Sequence, residues 1–187
     1  MPYREFPLAA SVELNRFLAD VERRAYRMAY LATGNQDDAL DIVQDAMLDF
    51  VRRYTKKPEN EWPPLFHRVL QSRITDWHRR SLVRNRLRIW FGFGSKDGEE
   101  EECPLEKVAD PIGTTPASLL LNRELGVKLD KAIRGLPLRQ QQAFLLRAWE
   151  GLDVAETAAA MGCSGGSVKT HYFRAVTALR NVLEEYQ

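Results

Sequence analysis

Apolar residues recur at three- and four-residue steps through most of this chain and never settle into alternation, which is the signature of amphipathic helices. Leu14, Phe17, Leu18, Val21, Ala25, Met28 and Ala32 mark a first helix over residues 12–33, closed by Gly34-Asn35. Asp37 or Asp38 suits the cap of the next, and both favour its positive N-terminal end. There Ala39, Ile42, Val43, Ala46, Met47, Phe50, Val51 and Tyr54 form the inward stripe. A loop over 55–64 comes next, and Pro63 and Pro64 fit the first turn of a third helix with Phe66, Val69, Leu70, Ile74 and Trp77 facing in. From Phe91 to Thr115 the periodicity breaks amid glycines, prolines and the acids Glu99 to Glu102, the composition of a flexible acidic linker kept extended by like charges. Two further helices, 119–133 and 139–149, flank Gly135-Leu136-Pro137. The fold class expected is all-α, two small helical domains on a tether, with neither repeat nor strand.

The last stretch predicts a helix-turn-helix. A short Ala-rich helix runs to Met161, Gly162 can take the left-handed conformation that ends it, and Ser164 sits where an N-cap belongs. In the second helix Val168, Tyr172, Ala175 and Leu179 line one face. The other face carries Lys169, Thr170, His171, Phe173, Arg174 and Arg180, with no acid between Cys163 and Arg180. Such a face suits the acidic major groove of DNA. A helical hairpin with a solvated basic side is the plainer alternative.

Charge sharpens this picture although the net charge is only +1. Arg52 to Arg88 holds eleven Lys/Arg against three acids, whereas Asn35 to Phe50 holds five aspartates and no base. That segregation points to two surfaces for two partners. The second helix turns Asp38, Asp41, Gln44, Asp45, Leu48 and Asp49 outward, a docking face for a basic helix or a plain solvated one. On the third helix His67, Arg68, Gln71, Arg73, His78, Arg79 and Arg80 surround the apolar stripe, with Trp62 and Trp77 nearby. Cations that follow phosphates and rings that stack on bases fit a surface for opened or single-stranded nucleic acid. Both tryptophans have a competing place in the core.

Enzyme chemistry finds little support. The histidines His67, His78 and His171 lie among basic residues without a Cys/His/Asp set at metal-ligand spacing. No phosphate-binding glycine loop or nucleophile elbow occurs, so no catalytic residue, metal, cofactor or small-molecule substrate is expected. Cys103 and Cys163 stand too far apart in sequence to suggest a disulfide framework. The start lacks a signal peptide's apolar run and no stretch reaches membrane-spanning length, so a cytoplasmic protein with no direct membrane insertion is expected.

Asp38-Ala39-Leu40-Asp41-Ile42-Val43-Gln44-Asp45, Phe66-His67-Arg68-Val69 with Asp76-Trp77-His78-Arg79-Arg80, Gly135-Leu136-Pro137 with Gln140-Gln141-Gln142-Ala143-Phe144, and Gly166-Ser167-Val168-Lys169-Thr170 occur in an order that resembles the extracytoplasmic-function (ECF, group IV) sigma factors of bacterial RNA polymerase. The resemblance covers residues 14–86 and 119–184. It implies a region 2 domain over 10–90, a linker over 91–117 and a region 4 helix-turn-helix domain over 118–187, and a transcription initiation factor with no catalysis of its own. Asp41, Gln44, Asp45 and Leu48 would dock on the clamp coiled coil of the polymerase β′ subunit, the β subunit being a further contact.

The same resemblance implies that Lys56, Lys57, Asn60, Trp62, His67, Gln71, Arg73, His78 and Arg79 help melt and hold the promoter −10 element, and that Lys169, Thr170, His171, Phe173 and Arg174 read the −35 element while Ser164 and Ser167 hold phosphates. Promoter DNA, core RNA polymerase and an anti-sigma factor are the implied partners. Ser72 departs from the family's usual Asn, Leu65 from a frequent Trp and Thr157 from a β-branched apolar residue. Gly165-Gly166 loosens the recognition helix's first turn. An alternative is a response-regulator-type helix-turn-helix activator, which requires a βα receiver in the first half. A third is a nucleic-acid-processing enzyme using His67, His78 and Asp76.

Overall fold

The computed structural model describes the backbone of residues 8–90 and 116–184, and side chains within 12–84 and 125–184 except 183. The described residues are helical and hold no strand. In chain order the helices are α1 (Leu8–Thr33), α2 (Gln36–Tyr54), α3 (Trp62–Trp90), α4 (Pro116–Arg134), α5 (Leu138–Phe144), α6 (Val154–Met161) and α7 (Gly165–Glu184). The receiver that an activator of the alternative class needs is therefore not what residues 8–90 form. No described helix is long and apolar enough to cross a membrane. The linker expected over 91–117 falls largely outside the described residues, apart from the start of α4.

In the first half, α1, α2 and α3 close around aromatic rings. Phe17 lies 5.5 Å from Phe50, 5.6 Å from Trp62 and 6.0 Å from Phe66, centroid to centroid. These are the offset and edge-to-face separations that add to simple burial. Asn35, not Asp37 or Asp38, caps α2: its side-chain oxygen accepts from the Asp38 amide at 2.9 Å. The two aspartates occupy the first turn, where they complement the helix dipole.

In the second half, Pro137 precedes α5 and a five-residue π-turn, Leu145–Trp149, extends it. The Glu150 amide donates to the Leu145 carbonyl at 3.0 Å, so one extra residue enters the turn and re-aims the chain beyond it. A capping box then starts α6, with Asp153 accepting from the Glu156 amide and Glu156 from the Asp153 amide, both at 2.8 Å. Asp153→Ala removes half of it, and a stability loss of about 1 kcal/mol is expected in urea unfolding.

The halves are joined by packing as well as by sequence. The buried apolar cluster runs continuously from Leu14 on α1 to Leu179 on α7, and α6 lies against α3. Across this seam the buried Gln141 Nε2 donates to the Leu31 carbonyl at 2.9 Å and, within its own half, to that of Ile133 at 3.0 Å.

Candidate nucleic-acid interface

Asp153 opens α6, and Gly162 closes it with φ +62°, a conformation a side-chain-bearing residue resists. The Cys163 amide donates to Ala158 O at 3.1 Å, completing the turn. Ser164 then caps α7 as its sequence position suggests, its Oγ accepting from the Ser167 amide at 3.2 Å. Gly165 lies close to α6: a Cβ there would sit 3.2 Å from Val154 Cγ1, a tight contact, so the two helices start almost touching. Thr157 at the heart of α6 is fully buried, and its hydroxyl donates to Asp153 O at 2.6 Å. That bond satisfies the polar atom in its buried setting.

The faces of α7 divide cleanly. Val168, Ala175 and Leu179 are buried, whereas Lys169, Thr170 and Arg174 are exposed and Phe173 is 72% exposed. His171 lies at the margin, with Nδ1 buried and without a protein partner among the described residues. Thr170 turns its hydroxyl back onto the Gly166 carbonyl at 3.0 Å, and Ser167 Oγ lies 2.9 Å from Ser164 Oγ. Beneath the helix Phe144 stacks on Tyr172 at 6.5 Å, and Arg147 stands 5.9 Å over the same ring.

On α2 the outer face holds Asp41, Gln44 and Asp45 exposed, with Leu48 at 55%. Leu40, 48% exposed, extends that apolar contact area and stands outside the inward stripe. Asp49 does not belong to this face. It is buried and ion-paired with Arg73 of α3, with Arg53 at 3.5 Å. The hydrogen bond from Arg73 holds the Asp49 carboxyl below its ordinary 3.8. Its contribution to stability is thus present above the ordinary carboxylate range and is lost as pH falls through the depressed value.

The residues expected at the −10 surface do not gather on one face. Lys56, Lys57 and Asn60 are exposed around the 3₁₀ turn Glu59–Glu61, with Lys57 3.3 Å from Glu61. Trp62 corrects the expectation of a stacking platform. Its ring is core, 4% exposed, and its Nε1 donates to Lys57 O at 2.9 Å. Arg73 is turned towards α2, held by Asp49 and lying 3.7 Å from Asp45. His67 and Gln71 are buried beneath the second half. Arg79 is exposed on the far part of α3, with His78 half-buried beside it. Arg79 joins Arg80 and Arg84, absent from the expected set, in one wall of a groove of about 650 Å³. Asp38, Asp41 and Asp45 form the other wall, with Ile42, Trp77 and Val83 between.

The described residues are thus helical, with an acidic, partly apolar helix exposed in one half and a capped helix-turn-helix in the other. Residues 126–179 match the family model for sigma-70, region 4. The chain is 29% identical over 174 residues to the ECF RNA polymerase sigma factor SigE of Mycolicibacterium smegmatis, covering 93% of this chain and 62% of that protein. It is 30% identical over 147 residues to the RNA polymerase sigma-E factor of Streptomyces avermitilis, covering 79% of this chain and 72% of that one. In fold it resembles the sigma factor RpoE of Bartonella quintana, solved in complex with the anti-sigma factor NepR, with TM-score 0.65, 19% identity and coverage of 92% and 98% of the two chains. This chain belongs to the ECF family of RNA polymerase sigma factors.

Proposed function

We propose that this protein binds core RNA polymerase and directs promoter-specific initiation, residues 10–90 serving core binding and the −10 element and residues 118–187 the −35 element. The observation that carries this reading is the pairing of an exposed acidic face around Leu48 on α2 with an exposed, acid-free face on α7. Neither face alone needs the other; a factor that bridges polymerase and DNA needs both. Lys169 and Arg174 supply charge and donors to the groove, Phe173 an apolar contact, and the N-terminal turn of α7 a phosphate site. Exposed Arg79, with Lys56 and Asn60, tracks the phosphates of the opened strand. An anti-sigma partner, as in the Bartonella complex, is extended to this chain on the same basis.

Reconstituted transcription tests the reading: core polymerase with this protein should start RNA at promoters that core alone ignores. Arg174→Ala is expected to weaken the upstream promoter contact of that holoenzyme by about 1–3 kcal/mol. An unchanged footprint upstream would remove Arg174 from the interface.

A further inference from the structure

We propose that the groove between α2 and the far part of α3 is a binding site for a free guanine nucleotide, and that a nucleotide seated there hides part of the polymerase-docking face. The site rests on the groove's own chemistry; the hiding rests on the docking role proposed above for Asp41 and Asp45.

The register of the two helices makes the groove. Arg73 lies 3.7 Å from Asp45, so a contact between the walls closes one end. Beyond it the next turns carry Asp41 and Asp38 on α2, and Arg79, Arg80 and Arg84 on α3. There the opposed charges stay apart. Asp38, Asp41 and Arg84 make no ion pair among the described residues, Arg80 Nε donates to the Asp76 carbonyl, and Arg79 lies 4.0 Å from the Asp76 carboxylate on its own helix. Ile42, Trp77 and Val83 form an apolar floor between the walls. Trp77 packs against the core, and its Nε1 is buried without a protein partner among the described residues, so the fold itself leaves that donor unmatched. A concavity of about 650 Å³ with an apolar floor and a few convergent polar groups has the size and make-up of a small-molecule site.

The two walls define what the molecule carries. Guanidinium groups take phosphate through paired N–H donors. Ionised carboxylates only accept, so the other end of the ligand must present donors. A planar ring suits the aromatic and apolar floor between them. A ligand of one sign is disfavoured: bare polyphosphate meets three carboxylates, and a polyamine meets three guanidiniums. Among nucleobases the choice narrows to one. Guanine sets N1–H beside its N2 amino group, two adjacent donors that match the two oxygens of a carboxylate. Adenine and cytosine set their amino group beside a ring-nitrogen acceptor, which would face a carboxylate lone pair, and uracil has a single N–H between two carbonyls. With its phosphates on α3 and its base edge on α2, the nucleotide stands in front of Asp41 and Asp45.

Titration calorimetry of the full chain with GDP tests the site, with ADP, IDP and inorganic pyrophosphate as comparators. GDP is expected to bind about tenfold more tightly than ADP, and more tightly than IDP, which lacks only the N2 amino group. Arg80→Ala with Arg84→Ala should weaken GDP about tenfold. Asp38→Asn with Asp41→Asn should bring GDP and ADP level, and circular dichroism confirms that each variant is folded. Absence of GDP binding at millimolar concentration overturns the site. Equal binding of GDP, ADP and pyrophosphate overturns the guanine assignment, and displacement of GDP by a guanine-bearing single strand at lower concentration than GDP itself assigns the groove to DNA instead. In a pull-down, GDP at about ten times its Kd should cut the parent's apparent affinity for core polymerase about tenfold and leave that of the Arg80→Ala, Arg84→Ala variant unmoved. Undiminished capture by the GDP-bound parent overturns the hiding. A protein that captures no polymerase with or without GDP overturns the proposed function, and the titration, which contains no polymerase, still decides the site.

Discussion

Asp41→Lys is expected to cut the affinity of the protein for core RNA polymerase about a hundredfold, equivalent to about 2.7 kcal/mol, while leaving its melting behaviour unchanged. Asp41 is exposed on the outer face of α2 and makes no ion pair among the described residues; it faces Arg79, Arg80 and Arg84 only across the groove, so its reversal breaks no hydrogen bond or salt bridge. Asp45 shares that face but lies 3.7 Å from Arg73, which also grips Asp49. Asp45→Lys therefore combines a docking effect with a local structural one. Adding it to Asp41→Lys should abolish capture in a pull-down, with circular dichroism controlling for the fold. Capture of polymerase at parental strength by the single variant would refute the docking face.

Trp62→Ala is expected to destabilise the protein by about 3–5 kcal/mol, read from the urea midpoint. The ring is 4% exposed, packs 5.6 Å from Phe17 and 6.4 Å from Phe50, and ties its indole N–H to the Lys57 carbonyl. Truncation leaves a cavity among rings that cannot easily collapse, and it frees the loop that carries Lys56 and Asn60. Trp62→Phe keeps most of the apolar volume and loses the hydrogen bond, so a smaller loss is expected. A near-normal midpoint for Trp62→Ala would show that the ring is not part of the core.

Helical periodicity made the elements legible because an inward stripe repeats over many turns: Ala39, Ile42, Val43, Ala46 and Phe50 of α2 and Val168, Ala175 and Leu179 of α7 lie buried as their spacing indicates, with Met47, Val51, Tyr54 and Tyr172 half-buried beside them. The turn at Gly162 and the cap at Ser164 were legible for a local reason, since each depends on one residue's own chemistry. What could not be read is tertiary. Asp49 looks like a member of an outward acidic row until Arg73, on another helix, claims it. His67 and Gln71 look like a polar surface until Glu150 and the cleft beside Arg139 cover them. A polar residue's destination depends on the partner that reaches it, and period alone carries no partner. Trp62 was ambiguous for the converse reason, because a loop tryptophan serves equally as platform or anchor until its neighbours are known. The π-turn has no sequence signature here beyond an ordinary apolar run.

The two-sided build of α7 has an evolutionary corollary. Gly165 lies close to Val154 of α6, and Val168, Ala175 and Leu179 are buried beneath α7, whereas Lys169, Phe173 and Arg174 are exposed. The outward positions bear almost no structural duty, so they are free to drift or be exchanged among paralogues. If α7 reads DNA as proposed, new target sites would arise by rewriting a few letters of an interchangeable reading head, with the chassis beneath left alone.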